Sequence, residues 1–267
     1  MMFFALPFPN IDPVIFEVGV FAIRWYSLAY IAGLVLGWAY MKRLCRMTPP
    51  VCETDAVDDF LVWATVGVIL GGRIGMVLFY QLDYYMAHPA KIFAVWEGGM
   101  SFHGGFLGVV IAGILFTRKR GIHPLRFGDL LGCVAPIGLF FGRVANFING
   151  ELWGRPADVP WAVVFPTGGP DPRHPSQLYE AAFEGLVLFA VMFVLSRNES
   201  VRRRPGLLMG TFIAGYGIAR SIGEIFREPD AYIGFLTFGT TWGQWLSLPM
   251  IAAGIYFIVR ARRRGPV

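Results

Sequence analysis

Long apolar segments alternate with short polar stretches along the whole chain. Each apolar segment is close to the roughly 20 residues that a helix needs to cross the hydrocarbon core of a bilayer. The pattern predicts an all-α integral membrane protein, a bundle of seven transmembrane helices forming one domain over residues 1–267. The predicted spans lie near residues 19–41, 57–80, 99–117, 127–149, 176–196, 206–226 and 240–260.

The composition agrees with a membrane protein. Of the 267 residues, 55% are hydrophobic and 15% are charged, whereas soluble domains have about 25% charged residues. The net charge of +5 does not indicate a nucleic-acid partner, because the basic residues are confined to short loops, where they set topology.

Basic residues accumulate on one side of the predicted bundle. Fifteen of the 23 Lys and Arg residues follow spans 1, 3, 5 and 7, while four lie on the opposite face. Cytoplasmic loops carry the excess of Lys and Arg in membrane proteins. We therefore expect the N-terminus outside and the C-terminus inside.

Three segments are expected to lie at the outer face. The stretch 150–175 is rich in Pro, Gly and Asp and is unusually long for a connection between helices. It is interpreted as a small cap. Residues 1–18 and 81–98 are expected beside it as re-entrant or interfacial arms.

Four arginines fall inside predicted spans, each in the outer half: Arg24, Arg73, Arg143 and Arg220. A charge at membrane depth is costly and is usually functional. Their common depth suggests a shared anionic partner such as a lipid phosphate. The alternative is that they extend to the headgroups or pair with acids.

Span 6 carries a polar stripe formed by Tyr216, Arg220, Glu224 and Arg227. Their spacing places them on one helix face, where Glu224 can pair with either arginine. The stripe is either a structural ion ladder or, with one net positive charge, a site for phosphate. Glu180, near the start of span 5, fits a structural and a functional role equally well.

His103 lies about one turn inside the outer boundary of span 3, within a run of glycines. Membrane histidines often only form hydrogen bonds between helices. Here the glycines allow a ligand or another backbone to approach closely, and histidine is the usual residue for moving a proton near neutral pH.

The stretch Gly142-Arg-Val-Ala-Asn-Phe-Ile-Asn-Gly-Glu-Leu-Trp-Gly-Arg155 carries the most specific motif. It resembles the signature of the prolipoprotein diacylglyceryl transferases, Gly-Arg-x-x-Asn-Phe-x-Asn-x-Glu-x-x-Gly, at every fixed position. The His103-Gly-Gly run, His174-Pro-Ser-Gln-Leu-Tyr-Glu180 and the span 6 stripe follow in the family's order. The resemblance therefore covers the whole chain.

The resemblance implies an activity. Such enzymes transfer the diacylglyceryl group of phosphatidylglycerol to the thiol of the lipobox cysteine in a preprolipoprotein signal peptide. The products are a thioether-linked prolipoprotein and glycerol 1-phosphate. The family acts at the outer leaflet of the bacterial inner membrane, on the side where the charge pattern places the polar residues.

The resemblance and the residue types together suggest roles. Arg143 and Arg220 are expected to bind the headgroup phosphate, and His103 is the candidate base for the thiol. A water molecule or Glu151 would serve equally well as that base. The remaining expected substrate-binding residues are Tyr26, Arg73, Asn146, Asn149, Glu151, Gly154, Tyr216 and Glu224.

The sequence predicts no metal and no cofactor. It contains no cluster of His, Cys and carboxylates with metal-ligand spacing, and no phosphate-binding or dinucleotide loop. Two other functions would also use arginines in the membrane. One is a transporter or flippase for an anionic lipid, although no internal repeat is found. The other is a non-catalytic lipid-binding scaffold, which would not need His103.

Overall fold

The computed structural model describes residues 6–9, 11–12, 14–18, 21–229 and 234–266. The remaining positions of the predicted N-terminal arm, and the first two residues of predicted span 1, lie outside the described residues.

Helices dominate the described part of the chain. They are α1 (Trp25–Cys45), α2 (Asp55–Phe79), α3 (Leu82–Ala87), α4 (Phe102–Arg120), α5 (Pro124–Ile148), α6 (Ser176–Glu180), α7 (Leu188–Arg197), α8 (Glu199–Arg202), α9 (Leu207–Phe226) and α10 (Trp242–Arg264). A π-helix, Ala181–Val187, joins α6 to α7. Short 3₁₀ turns cover Pro89–Phe93, Val95–Glu97 and Thr237–Gly239.

Every predicted span contains a helix. Among the residues that the structure describes, four helical segments are long and apolar enough to cross a membrane: α2, α5, the continuous segment Ser176–Arg197 and α10. These segments support an all-α membrane protein. The count of seven spans and their orientation stay predictions.

The start of span 1 differs from its prediction. Residues 21–24 are not helical but form strand β3 (Phe21–Arg24), which pairs antiparallel with β2 (Val14–Val18). The physical reason is local composition, since both stretches are rich in Val, Ile and Phe, which favour strands. α1 therefore begins only at Trp25. A second short pair joins β1 (Leu6–Pro7) in parallel to β4 (Val163–Val164).

The chain forms two compact units. The larger unit contains residues 1–43 and 128–267, and the smaller unit contains residues 44–127.

In the smaller unit, α2 packs against α4 through glycines. A Cβ on Gly67 would lie 2.7 Å from the carbonyl oxygen of Gly108, and one on Gly75 would lie 2.8 Å from Cα of Gly104. Any side chain would therefore separate the two backbones. Small residues at such positions allow the close approach on which helix association in membranes depends.

In the larger unit, a carboxylate of α5 caps the N-terminus of α9. Asp129, which is 5% exposed, accepts hydrogen bonds from the backbone N–H groups of Gly206 at 2.8 Å and Met209 at 2.7 Å. The first N–H groups of a helix have no partner within the helix, and the helix dipole favours an anion there. Asp129 thus ties α9 to α5.

Candidate active site

Two carboxylates lie buried where α6 meets the π-helix. Glu180 ends α6 and Glu184 follows four residues later, so the two side chains share one face. Both side chains are 0% exposed. A buried carboxylate is costly unless it is paired, and both of these face arginines.

Arg143 of α5 contacts both carboxylates. Its Nε and Nη2 each lie 3.1 Å from Oε2 of Glu184, and its Nη1 lies 3.1 Å from Oε2 of Glu180. Three nitrogens of one guanidinium therefore face carboxylate oxygens.

Arg220 of α9 contacts the same two carboxylates. Its Nη1 lies 2.7 Å from Oε1 of Glu180 and 3.7 Å from Oε1 of Glu184, while its Nη2 pairs with Glu224. Of the two partners expected for Glu224, Arg220 and Arg227, the structure shows a contact with Arg220. Arg227 approaches the same place, with Nη1 3.6 Å from Oε1 of Glu180.

These six residues form what we call the ion cluster: Arg143, Glu180, Glu184, Arg220, Glu224 and Arg227. The cluster contains three arginines and three glutamates. The net positive charge expected from span 6 and the charge of Arg143 are therefore together balanced by the two glutamates of span 5. No group of three or more His, Cys, Asp or Glu that could hold a metal ion occurs within the described part of the chain.

Glycines make room for the cluster. A Cβ on Gly223 would lie 3.1 Å from Cγ of Glu180, and one on Gly243 would lie 2.5 Å from Oε1 of Glu224. A Cβ on Gly185 would lie 2.6 Å from Cβ of Phe140, so this glycine lets the π-helix approach α5.

The two central arginines remain partly accessible. The side chain of Arg143 is 15% exposed and that of Arg220 is 17% exposed, whereas Glu180 and Glu184 are 0% exposed. Each terminal guanidinium nitrogen carries two N–H bonds, so one carboxylate contact does not exhaust it. The two arginines can therefore donate N–H groups to an anion while they remain paired with the buried carboxylates.

The signature motif folds back on itself after α5. Nδ2 of Asn146 donates to Oε1 of Glu151 at 2.8 Å, and Nδ2 of Asn149 donates to the same oxygen at 3.3 Å. A positive φ of 64° at Gly150 turns the chain between them. The three polar residues of the signature are thus brought together.

Gly154 lies between two backbone segments of the protein. A Cβ there would lie 2.6 Å from the carbonyl oxygens of both His174 and Phe226. Its own N–H donates to the His174 carbonyl at 2.9 Å. The close approach that glycine permits is therefore made by the protein's own backbone, and a role for Gly154 in substrate binding stays a prediction.

Both tyrosines belong to the larger unit. Tyr216 lies on α9, within electrostatic range of Arg143, Glu180, Glu184 and Arg220. Tyr26, at the start of α1, lies within range of Arg143 and Glu151, and its hydroxyl is 3.2 Å from that of Tyr30. Each is therefore close to a charged group of the candidate site.

His103 belongs to the smaller unit. It lies in the first turn of α4, where its side chain is exposed and its ring packs edge-on against Phe102. The neighbouring Gly104 packs against α2. Of the two uses expected for these glycines, close approach by another backbone is the one observed.

The guanidinium of Arg73 contacts backbone carbonyls of its own unit. Its guanidinium donates to the backbone carbonyls of five residues: Lys91, Ile92, Ala94, Gly98 and Gly99. All five of its N–H donors can be used this way, and the residue is only 5% exposed. Arg73 therefore organises the segment 81–98, and a role for it in substrate binding stays a prediction.

The predicted cap, residues 150–175, is fixed by two arginines that sequence reasoning did not single out. Arg155 donates to the carbonyls of Glu224 at 3.0 Å and Arg227 at 2.9 Å. Arg173 pairs with Glu228 at 3.2 Å and lies over the ring of Trp153. Both tie the cap to the end of α9.

His174 lies between the cap and α6. Its Nδ1 is 3.2 Å from the Tyr179 hydroxyl, which also accepts a hydrogen bond from Nε1 of Trp161 at 2.6 Å. Partial burial lowers the pKa of His174, and the nearby Arg155 lowers it further. Both effects favour the neutral imidazole.

Glu184 is the main residue of the ion cluster that sequence reasoning missed. The available signal was a carboxylate inside an apolar span, four residues after Glu180. Such residues usually face a partner within the protein.

Comparison with known proteins agrees with this picture. The sequence model of the family described as prolipoprotein diacylglyceryl transferase matches residues 13–260. A protein of Rhodospirillum rubrum named phosphatidylglycerol–prolipoprotein diacylglyceryl transferase is 60% identical over 100% of this chain and 98% of its own. Proteins with the same name from Rhodospirillum centenum (96% and 94% coverage) and Paramagnetospirillum magneticum (99% and 98%) are each 58% identical. This chain belongs to the prolipoprotein diacylglyceryl transferase family and is an integral membrane transferase.

Proposed function

We propose that this protein transfers the diacylglyceryl group from phosphatidylglycerol to the thiol of the lipobox cysteine in a preprolipoprotein signal peptide. One observation carries the proposal beyond the family name. Arg143 and Arg220 converge from two helices on the same buried carboxylates while remaining partly accessible. Paired guanidiniums match the geometry of a phosphate group.

The reaction needs a base and a stabilised leaving group. The thiol loses its proton, and the sulfur attacks the glycerol carbon that carries the phosphate ester. The carbon–oxygen bond breaks, and its electron pair leaves on glycerol 1-phosphate. Arg143 and Arg220 bind the phosphate and stabilise the charge that develops on it. His103 takes the proton.

The other polar residues orient the lipid headgroup. Asn146 and Asn149 share Glu151 as an acceptor and present amide groups for the headgroup glycerol. Tyr26 and Tyr216 add hydroxyl groups, and Glu224 holds Arg220. Gly154 shapes the rim by permitting close backbone packing.

The proposed location is the bacterial inner membrane, with seven spans in one transmembrane domain, the N-terminus outside and the C-terminus inside. The cap would then face the periplasm above the outer leaflet. The excess of basic residues on one face supports this orientation. Labelling of single cysteines introduced near residues 160 and 200 by an impermeant reagent tests it, since only the first should react in intact cells.

Transfer from phosphatidylglycerol to a lipobox peptide in detergent, followed as release of glycerol phosphate, tests the function. Wild type should release product, and Arg143→Ala should lose at least about 100-fold of the rate. Arg203→Ala is the matched control, because Arg203 forms an exposed pair with Glu199. The absence of release by folded wild-type protein would leave lipid binding or transport instead.

The identity of the base is tested separately. His103→Gln should lower the maximal rate and remove the limb of the pH–rate profile that belongs to the base. Should Glu151→Gln remove that limb while His103→Gln keeps it, Glu151 would replace His103 in the mechanism.

A further inference from the structure

Arg143 and Arg220 carry like charges, yet both lie against the same buried carboxylates. Like charges at short range repel, and the repulsion is stronger away from water. The two arginines come from α5 and α9, while Glu180 and Glu184 come from the segment that joins α6 to α7. The negative charges of Glu180 and Glu184 therefore offset the repulsion between the two arginines.

Each carboxylate uses its two oxygens on different arginines. In Glu180, Oε2 faces Arg143 at 3.1 Å and Oε1 faces Arg220 at 2.7 Å. In Glu184, Oε2 faces Arg143 at 3.1 Å and Oε1 faces Arg220 at 3.7 Å. These contacts place both guanidiniums against the same two carboxylates, with the shortest contact between Arg220 and Glu180.

The backbone around Glu180 and Glu184 packs closely against α5 and α9. Gly185 lies against Phe140 of α5, and Gly223 of α9 lies against the side chain of Glu180. The carboxylates are completely buried, whereas both arginines retain an exposed fraction. The glutamates therefore leave a fraction of each arginine side chain uncovered.

We propose that Glu180 and Glu184 are positioning residues, which hold Arg143 and Arg220 side by side as one site for a single phosphate group. The proposal rests on the proposed function for the identity of the phosphate, which is that of the phosphatidylglycerol headgroup and of the glycerol 1-phosphate product. Glu184 is the more informative of the two, because its described ion pairs join only Arg143 and Arg220.

Glu184→Gln tests the proposal with little change in side-chain size. Glutamine has one acceptor oxygen and one amide donor, so its amide group would face one guanidinium and push it away. We expect kcat to fall by about 10-fold or more, with a smaller rise in KM for phosphatidylglycerol, because charge on the phosphate increases in the transition state. Glu184→Asp keeps the charge and should recover part of kcat. Glu180→Gln should behave like Glu184→Gln.

Two readouts separate positioning from a purely structural role. Glycerol 1-phosphate should raise the thermal midpoint of wild-type protein in detergent, and this increase should be lost in Glu184→Gln and retained in Glu199→Gln. Glu199 is the matched control, because it forms an exposed pair with Arg203 at 2.7 Å. The rates are normalised to folded protein, so a loss of stability alone would leave kcat unchanged.

The proposal would be overturned if Glu184→Gln and Glu180→Gln kept the wild-type kcat, KM and ligand-induced midpoint shift. A failure of the proposed function is distinguishable from this result, because wild type would then show no transfer. The midpoint shift with glycerol 1-phosphate would still decide whether the two glutamates build a phosphate site.

Discussion

Oε2 of Glu184 lies 3.1 Å from both Nε and Nη2 of Arg143, so one carboxylate oxygen bridges two donors of the same guanidinium. Charge-assisted contacts of this kind fix the plane of an arginine as well as its position. The two residues are 41 positions apart in the chain, and the contact requires α5 and the π-helix to lie close together.

Gly185→Ala should disturb this contact. Its Cβ would lie 2.6 Å from Cβ of Phe140, and relief of such overpacking costs about 1–3 kcal/mol. We expect a lower thermal midpoint and a reduced transfer rate per folded molecule. Gly138→Ala is the control, because a Cβ there has no atom within 4 Å. Equal rates in the two variants would contradict the prediction.

Arg73→Met should loosen the segment 81–98. The change leaves five backbone carbonyls without their donor, at a cost of about 3 kcal/mol or more. Hydrogen exchange at residues 89–99 should become faster than in wild type. Arg118→Met, at an exposed position, should leave exchange there unchanged. Unchanged exchange in Arg73→Met would mean that other contacts hold the segment.

Gly154→Ala should displace the cap. The added methyl group would lie 2.6 Å from two backbone carbonyl oxygens, neither of which is the end of a flexible side chain. Proteolysis within residues 155–173 should become faster, and transfer activity should fall by about 10-fold or more, as misplacement near a site can cost. Resistance to proteolysis equal to that of the Gly138→Ala control would count against this account.

Asp129→Asn should weaken the start of α9. The variant loses the negative charge and one of two acceptors for the N–H groups of Gly206 and Met209. Loss of a cap costs about 1 kcal/mol, which corresponds to a midpoint lower by about 2–4 °C. Asp59→Asn, which breaks an exposed pair with Arg120, should change the midpoint less. An equal decrease in both variants would argue against capping.

Stability should fall as the pH falls below about 6.5, the usual pKa of histidine, in part because of His174. Burial and Arg155 lower its pKa in the folded state, so the unfolded chain binds the proton first and gains from acidification. His174→Gln should show a smaller decrease in thermal midpoint between pH 7 and pH 5 than wild type. His88→Gln, at an exposed position, should match wild type.

The helices were predictable because burial in a bilayer imposes a local requirement. A segment must be long and apolar enough to cross, and α2, α5, Ser176–Arg197 and α10 satisfy this rule. The start of α1 was wrong by several residues, because an apolar stretch rich in Val, Ile and Phe can form a strand as readily as a helix.

The candidate site was predictable in part. The signature from Gly142 to Gly154 and the family were evident from residue order alone. The carboxylate partners of Arg143 and Arg220 on α6 and the π-helix could not be predicted. Sequence periodicity indicates the face of its own helix on which a side chain lies, but not which other helix packs against that face. For Glu224 the sequence offered Arg220 or Arg227 as a partner, and the observed contact is with Arg220, which lies on the same helix α9.

By itself, the sequence determined that this is a helical membrane protein of the prolipoprotein diacylglyceryl transferase family, because span length, apolar composition and motif order are properties of the linear chain. Only the tertiary structure decided which groups Arg73, Arg143 and Arg220 contact. Arg73 is used by its own neighbouring segment, whereas Arg143 and Arg220 share Glu180 and Glu184. The reason is physical: a charge out of water must find a partner, and helix packing decides which partner lies within reach.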